Sequence, residues 1–115
     1  MFNDVSSSAL RVAVTGLSAR QRAISQNIAN IETPGYLAKK VKFEEALSSA
    51  VANSRSPESV GPEVKTSLEP TRLNGNNVNL DAETLAHIDT MMRYQLTIRA
   101  LDGKYGLLRE VIKGA

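Results

Sequence analysis

The 115-residue sequence predicts an all-α fold, with two long terminal helices forming an antiparallel coiled-coil hairpin, joined by a short helix and a long irregular loop. Three observations carry this expectation. Apolar residues recur at helical spacing near both ends. The middle of the chain is rich in Pro, Gly and polar residues. Bulky aromatics are scarce, with no Trp, two Phe and three Tyr. The apolar content therefore rests on Ala, Val, Leu and Ile, which suits helix–helix contact better than a broad globular core. One structural unit is expected, divided into residues 1–35, 36–79 and 80–115.

In the first zone Leu10, Val14, Leu17, Ile24, Ile28 and Ile31 are separated by three, four or seven residues, as on one helix face. Gln21 interrupts this seam. Asp4, or one of Ser6 to Ser8, is positioned to cap the start by accepting from a free amide. Thr33-Pro34-Gly35 is expected to stop the helix, since Pro34 turns Thr33 away from helical geometry and Gly35 tolerates a positive φ. A helix of about 27 residues is roughly 40 Å long.

In the second zone Phe43, Ala46, Leu47, Ala50 and Val51 keep helical spacing and predict a short amphipathic helix. Beyond Asn53 the chain holds Pro57, Pro62, Pro70, Gly61 and Gly75 and few large apolar residues. Val64 to Leu68 is weakly strand-like, and residues 52–72 are expected to be an extended or mobile loop.

The third zone carries Met91, Tyr94, Ile98, Leu101, Tyr105, Leu108 and Ile112, alternating steps of three and four over about three heptads. Extended backward, this register meets His87 and Thr84, while Leu85 and Ile88 lie one position off. A phase shift is thus expected near Met91-Met92. Asp81 is the expected N-cap, and Glu83 suits the positive end of the helix dipole. Gly103 and Gly106 either admit a close neighbour or let the helix end fray. Two such helices make a poor monomer, because each keeps an apolar flank that one partner cannot cover.

Chemistry is sparse. No cysteine is present, which removes disulfides and thiolate sites. His87 is the sole histidine and is read as a seam or interface residue. Asp81, Glu83 and Asp89 are expected at helix-start or solvent-facing positions. Glu44-Glu45 are adjacent and point to different flanks, and no glycine-rich phosphate loop follows a strand. Met91, Met92, Tyr94 and Tyr105 read as packing residues. No catalytic group, cofactor, metal or small-molecule substrate is expected. Net charge is only +2, with Lys39, Lys40 and Lys42 the one basic cluster, so no nucleic-acid partner is expected. A basic region followed by an apolar run is missing at the start, so no cleavable signal is expected. No run approaches a membrane span.

The most informative stretch is Asn27-Ile28-Ala29-Asn30-Ile31-Glu32-Thr33-Pro34-Gly35-Tyr36. Physically it is a helix end whose Asn side chains can bond nearby backbone, followed by a sharp redirection and a large tyrosine anchor. Such ends are common, but the string itself closely resembles the N-terminal signature of the bacterial flagellar rod and hook family of axial proteins. The resemblance continues at Val41-Lys42-Phe43-Glu44-Glu45-Ala46-Leu47, at Gly75-Asn76-Asn77-Val78-Asn79-Leu80-Asp81-Ala82-Glu83, at Arg93-Tyr94-Gln95 and at Lys104 to Arg109. Residues 52–72 stay unmatched, and Asn74 and Asn79 stand where Asp is common.

The resemblance implies a structural subunit of the flagellar basal body, exported through the type III apparatus without signal cleavage. Its terminal helices would pair as a coiled coil lining a tube. Implied partners are further copies of the chain, FlgC-like rod proteins, a small FliE-like adaptor, the membrane ring and the export gate. Leu10, Leu17, Ile24, Ile28, Met91, Tyr94, Ile98, Leu101, Tyr105, Leu108 and Ile112 are the expected assembly seam. A soluble helical adaptor or export chaperone, binding one partner through its heptad face, is the alternative that the spacing alone leaves open.

Overall fold

The computed structural model describes residues 4–114. In chain order the elements are α1 (Val5–Ala29), β1 (Lys39–Lys42), α2 (Glu44–Ala52), a 3₁₀ turn (Pro57–Ser59), β2 (Glu63–Thr66) and α3 (Leu80–Gly114). The two long helices lie side by side and antiparallel. Asp4 meets Lys104, Gln21 meets His87 and Asn27 meets Glu83. Helix α3 has 35 residues against 25 in α1, so it is longer by about 15 Å at 1.5 Å per residue. The molecule measures 65 × 27 × 15 Å, and its radius of gyration of 17.6 Å exceeds the roughly 13 Å of a compact chain of this length.

Helix α1 begins where Asp4 accepts from the Ser7 amide at 2.7 Å. It ends at Asn30, before Thr33-Pro34, where the bonding tightens to i→i−3 as the amides of Ile31 and Thr33 reach the carbonyls of Ile28 and Asn30. Gly35 then adopts φ +74°, as its place in the turn requires.

The fold departs from an all-α expectation in one respect. β1 and β2 form a two-stranded antiparallel sheet, pairing Lys39 with Thr66, Lys40 with Lys65, Val41 with Val64 and Lys42 with Glu63. The segment 52–72 is therefore not irregular throughout, since it contains the 3₁₀ turn and β2. A two-stranded sheet is marginal alone. Here β1 lies against α1 and contributes Val41 to a core with Leu17, Ala23 and Phe43, flanked by Ala13, Leu47, Val60 and Tyr94. Phe43 sits directly over Gly16, where a Cβ would come within 2.4 Å of the ring. Arg20 lies across the ring, 5.1 Å from its centre, and reaches Glu44 with two 2.6 Å hydrogen bonds.

Two expectations for α3 are corrected. The cap is Asn79, whose side chain accepts from the Ala82 amide, so Asp81 falls in the first turn. Glu83 lies in the first turn too, at the helix start as expected, and is buried there. The inward stripe is Glu83, Ala86, Thr90, Tyr94, Thr97, Leu101 and Lys104. Glu83 and Leu101 are 18 residues apart, five turns at 3.6 residues per turn, so the stripe follows a straight helix rather than a 3.5-residue repeat. Leu85 and Ile88 consequently face out.

Candidate assembly interface

Two features stand out: a polar clamp that locks the helix ends together, and an apolar stripe that the chain leaves uncovered.

The clamp is built on Asn27, which is wholly buried. Its Oδ1 accepts from the Lys39 amide (2.8 Å) and the Tyr36 hydroxyl (3.1 Å). Its Nδ2 donates to the Lys39 carbonyl (2.9 Å) and Glu83 Oε1 (3.1 Å). One side chain thus satisfies both backbone groups of Lys39 on the outer edge of β1 and ties the end of α1 to the start of α3. Burial raises the Glu83 carboxyl, opposed by the Asn27 hydrogen bond and by nearby Lys40. Burial, with Glu83 nearby, raises the Tyr36 phenol.

Residues 72–79 complete the clamp. Asn76, also wholly buried, donates to the carbonyls of Asn30 and Thr33, each at 2.9 Å, and accepts from the Val78 amide. Asn77 accepts from the Ala38 amide and donates to the carbonyls of Ser67 and Glu69. Arg72 donates to the carbonyls of Ile31 and Val78. The Gly35 amide bonds the Asn74 carbonyl at 2.8 Å, and a Cβ on Gly75 (φ +82°) would lie 3.3 Å from Gly35 Cα. Thr33 donates to Asn30 Oδ1, while Pro34 is exposed. At the far end Asp4 pairs with Lys104 at 3.0 Å. The Ser7 amide and then Lys104 hold its carboxyl down at about 2.

The expected seam residues divide between inside and outside. Leu17, Ile24 and Leu101 are buried within the chain. Leu10, Tyr94, Ile98 and Tyr105 are half-buried. Ile28, Met91 and Ile112 are exposed, Ala29 is exposed beside Ile28, and the Leu108 side chain lies outside the described residues. The sequence reading missed that Leu85, Ile88, Met92 and Leu96 form a continuous outer stripe on α3, each between 51 and 69% exposed. Their steps of three, four and four are the signal. This stripe is a second helix face, where sequence reading saw only a phase shift.

Beside the stripe are two open grooves. One, of about 480 Å³, runs between α1 and α3 past Leu17, Gln21, Thr90, Met91 and Tyr94. The other, of about 630 Å³, passes Leu47, Val51, Arg93 and Leu96. Thr90 Oγ1 and Gln21 Oε1, both lining the first groove, are buried without a hydrogen-bond partner. Among the described residues no three His, Asp or Glu are grouped to hold a metal, and no helix is long and apolar enough to cross a membrane.

Comparison with known proteins adds the decisive observation. Residues 10–36, from the second turn of α1 to the tyrosine of the clamp, match the family described as flagella basal body rod protein. The chain is 30% identical over 120 residues to the flagellar basal body rod protein FlgB of Bacillus subtilis (strain 168), covering 91% of each chain. This chain belongs to the FlgB family of flagellar basal body rod proteins. It is also 35% identical over 101 residues to FlgB of Borreliella burgdorferi, covering 70% of this chain and 75% of that one. With FlgB of Escherichia coli (strain K12) the identity is 29% over 114 residues, covering 82% and 83%. In this FlgB-family chain the family-model match ends on Tyr36, whose hydroxyl bonds Asn27. The part of the clamp contributed by α1 and its turn thus lies inside the segment that matches the family model.

Proposed function

We infer that this chain is a structural subunit of the flagellar basal-body rod, acting through non-covalent assembly and not through catalysis. Family membership carries the reading, and the shape of the molecule supports it. Its accessible surface of 7533 Å² exceeds the roughly 6,100 Å² expected of a compact monomer of this mass. The excess comes from laying the helices out flat, and the outer face of α3 is apolar. Such a face is satisfied by neighbours. A slab that repeats its contacts by a rotation that does not close builds a helical tube.

In finer detail, the outer stripe of α3 and the exposed seam residues Ile28, Met91 and Ile112 are the assembly surface. Neighbouring helices there form the coiled-coil wall of the tube. Other copies of the chain and FlgC-like subunits supply those helices, and a FliE-like adaptor, the membrane ring and the export gate meet the end nearest the membrane. Torque is carried by side-by-side helices, and the clamp keeps α1, β1 and α3 moving as one body.

The test is Ile88→Glu, alone and with Met92→Glu. Both side chains are outside the core, so folding should shift by less than about 0.5 kcal/mol. The expected outcome is a chain with unchanged helicity that is absent from purified basal bodies and leaves cells non-motile. Normal motility with the double variant in place would refute this surface.

A further inference from the structure

The sheet treats its two edges differently. On the outer edge of β1, Asn27 takes the amide and carbonyl of Lys39, and Arg20 takes the carbonyl of Val41 at 2.7 Å. Ala38, Lys40 and Lys42 face β2, as the Ser67 amide bonding the Ala38 carbonyl shows. It follows from this alternation that the amides and carbonyls of Val64 and Thr66 point away from β1. All four residues of β2 are exposed, and nothing among the described residues bonds those outward groups. An open edge is a template for another strand.

Charge order identifies the strand that fits. Glu63-Val64-Lys65 is its own complement when read antiparallel. We propose that β2 pairs across a two-fold axis with β2 of a second copy of this chain, centred on Val64, giving a four-stranded sheet. In that register Glu63 faces the partner's Lys65, and Lys65 faces the partner's Glu63. A register centred on Glu63 or on Lys65 sets like charges opposite one another, which is unfavourable.

The lysines already on the sheet support the same register. Lys40 lies directly across from Lys65, a like-charge pair offset only by Glu63 at 3.3 Å along the strand. The second copy places a further carboxylate on the other side of Lys65. Across the outer face the order becomes Lys40, Lys65, the partner's Glu63 and the partner's Lys42. On the opposite face Val64, 57% exposed, covers its counterpart. Two bonds join the Val64 pair, and each Thr66 amide reaches the partner's Pro62 carbonyl. Pro62 has no amide to return, so the ladder ends there.

The contact is small and therefore concentration-dependent. Its two-fold closure sets it apart from the open contact that extends a tube, so it belongs to the chain before incorporation. The test is sedimentation of the full chain from about 0.01 to 1 mM, with amide exchange at Val64 and Thr66. Dimerisation with rising protection of those two amides is expected. Lys65→Glu should abolish both. It also relieves the Lys40 contact, so the monomer stays folded, as circular dichroism would verify. The double exchange Glu63→Lys with Lys65→Glu should restore both. Association that leaves the two amides unprotected, or that ignores the charge changes, overturns the proposal. So does a chain that remains monomeric throughout.

Discussion

Asn27 uses all four hydrogen-bonding positions of its amide, and no other residue type supplies two donors and two acceptors at that reach. Asn27→Ala would strand the buried amide and carbonyl of Lys39 together with the Glu83 carboxylate. A loss of about 3 kcal/mol is expected, read as a fall in Tm of roughly 10 °C. Asn27→Asp keeps the acceptor but sets a second carboxylate against Glu83, so its penalty should shrink as pH is lowered. Glu83 provides the companion test. Burial raises its folded carboxyl above the ordinary value of 4.5, so the folded state favours the protonated form. Its contribution to stability is then fullest below the ordinary carboxyl range and is lost as pH rises through the raised value. Glu83→Gln, which preserves an acceptor for Asn27, should raise Tm at pH 7. That gain should vanish in melts near pH 4, while an unchanged or lowered Tm at pH 7 would show the charged form to be preferred.

Helix α1 pairs Gly16 with Phe43 of the strand-to-helix junction. Ala at position 16 would gain about 1 kcal/mol of helix propensity in isolation, yet its Cβ would sit 2.4 Å from the Phe43 ring. Overpacking of this kind costs about 1–3 kcal/mol, so Gly16→Ala should lower the urea midpoint, and adding Phe43→Leu should recover part of the loss. This contact also marks the limit of what sequence makes legible. The two long helices and α2 were visible because their apolar spacing is local, as was the Asp4 cap. The sheet was not. Lys39-Lys40-Val41-Lys42 has one apolar residue and reads as a basic cluster. It becomes a strand because Asn27 and Arg20, 12 to 21 residues upstream, occupy its outer edge. The inward face of α3 was misjudged for a similar reason. Carried backward, the seam register meets His87 and Thr84, whereas Asn27 draws polar Glu83 inward at the helix start and leaves Leu85 and Ile88 on the surface.

Across the whole molecule, the chain divides its apolar residues between two tasks. Leu17, Ile24, Val41, Phe43 and Leu101 hold the subunit together. Leu85, Ile88, Met92 and Leu96 remain outside, on the face of a 65 Å slab. The signature string that pointed to the rod family serves the first task, as the lock on the helix ends. The stripe is the surface proposed for assembly, and it lies outside the segment matched by the family model. Because the chain has no cysteine, Met92→Cys introduces a single thiol at the middle of that stripe. The most direct measurement is its rate of maleimide labelling in the free chain and in purified basal bodies. We predict rapid labelling of the free chain and near-complete protection in the rod. Equal labelling in both, with the variant present in the rod, would show that the outer face of α3 stays open in the assembly and would contradict the account.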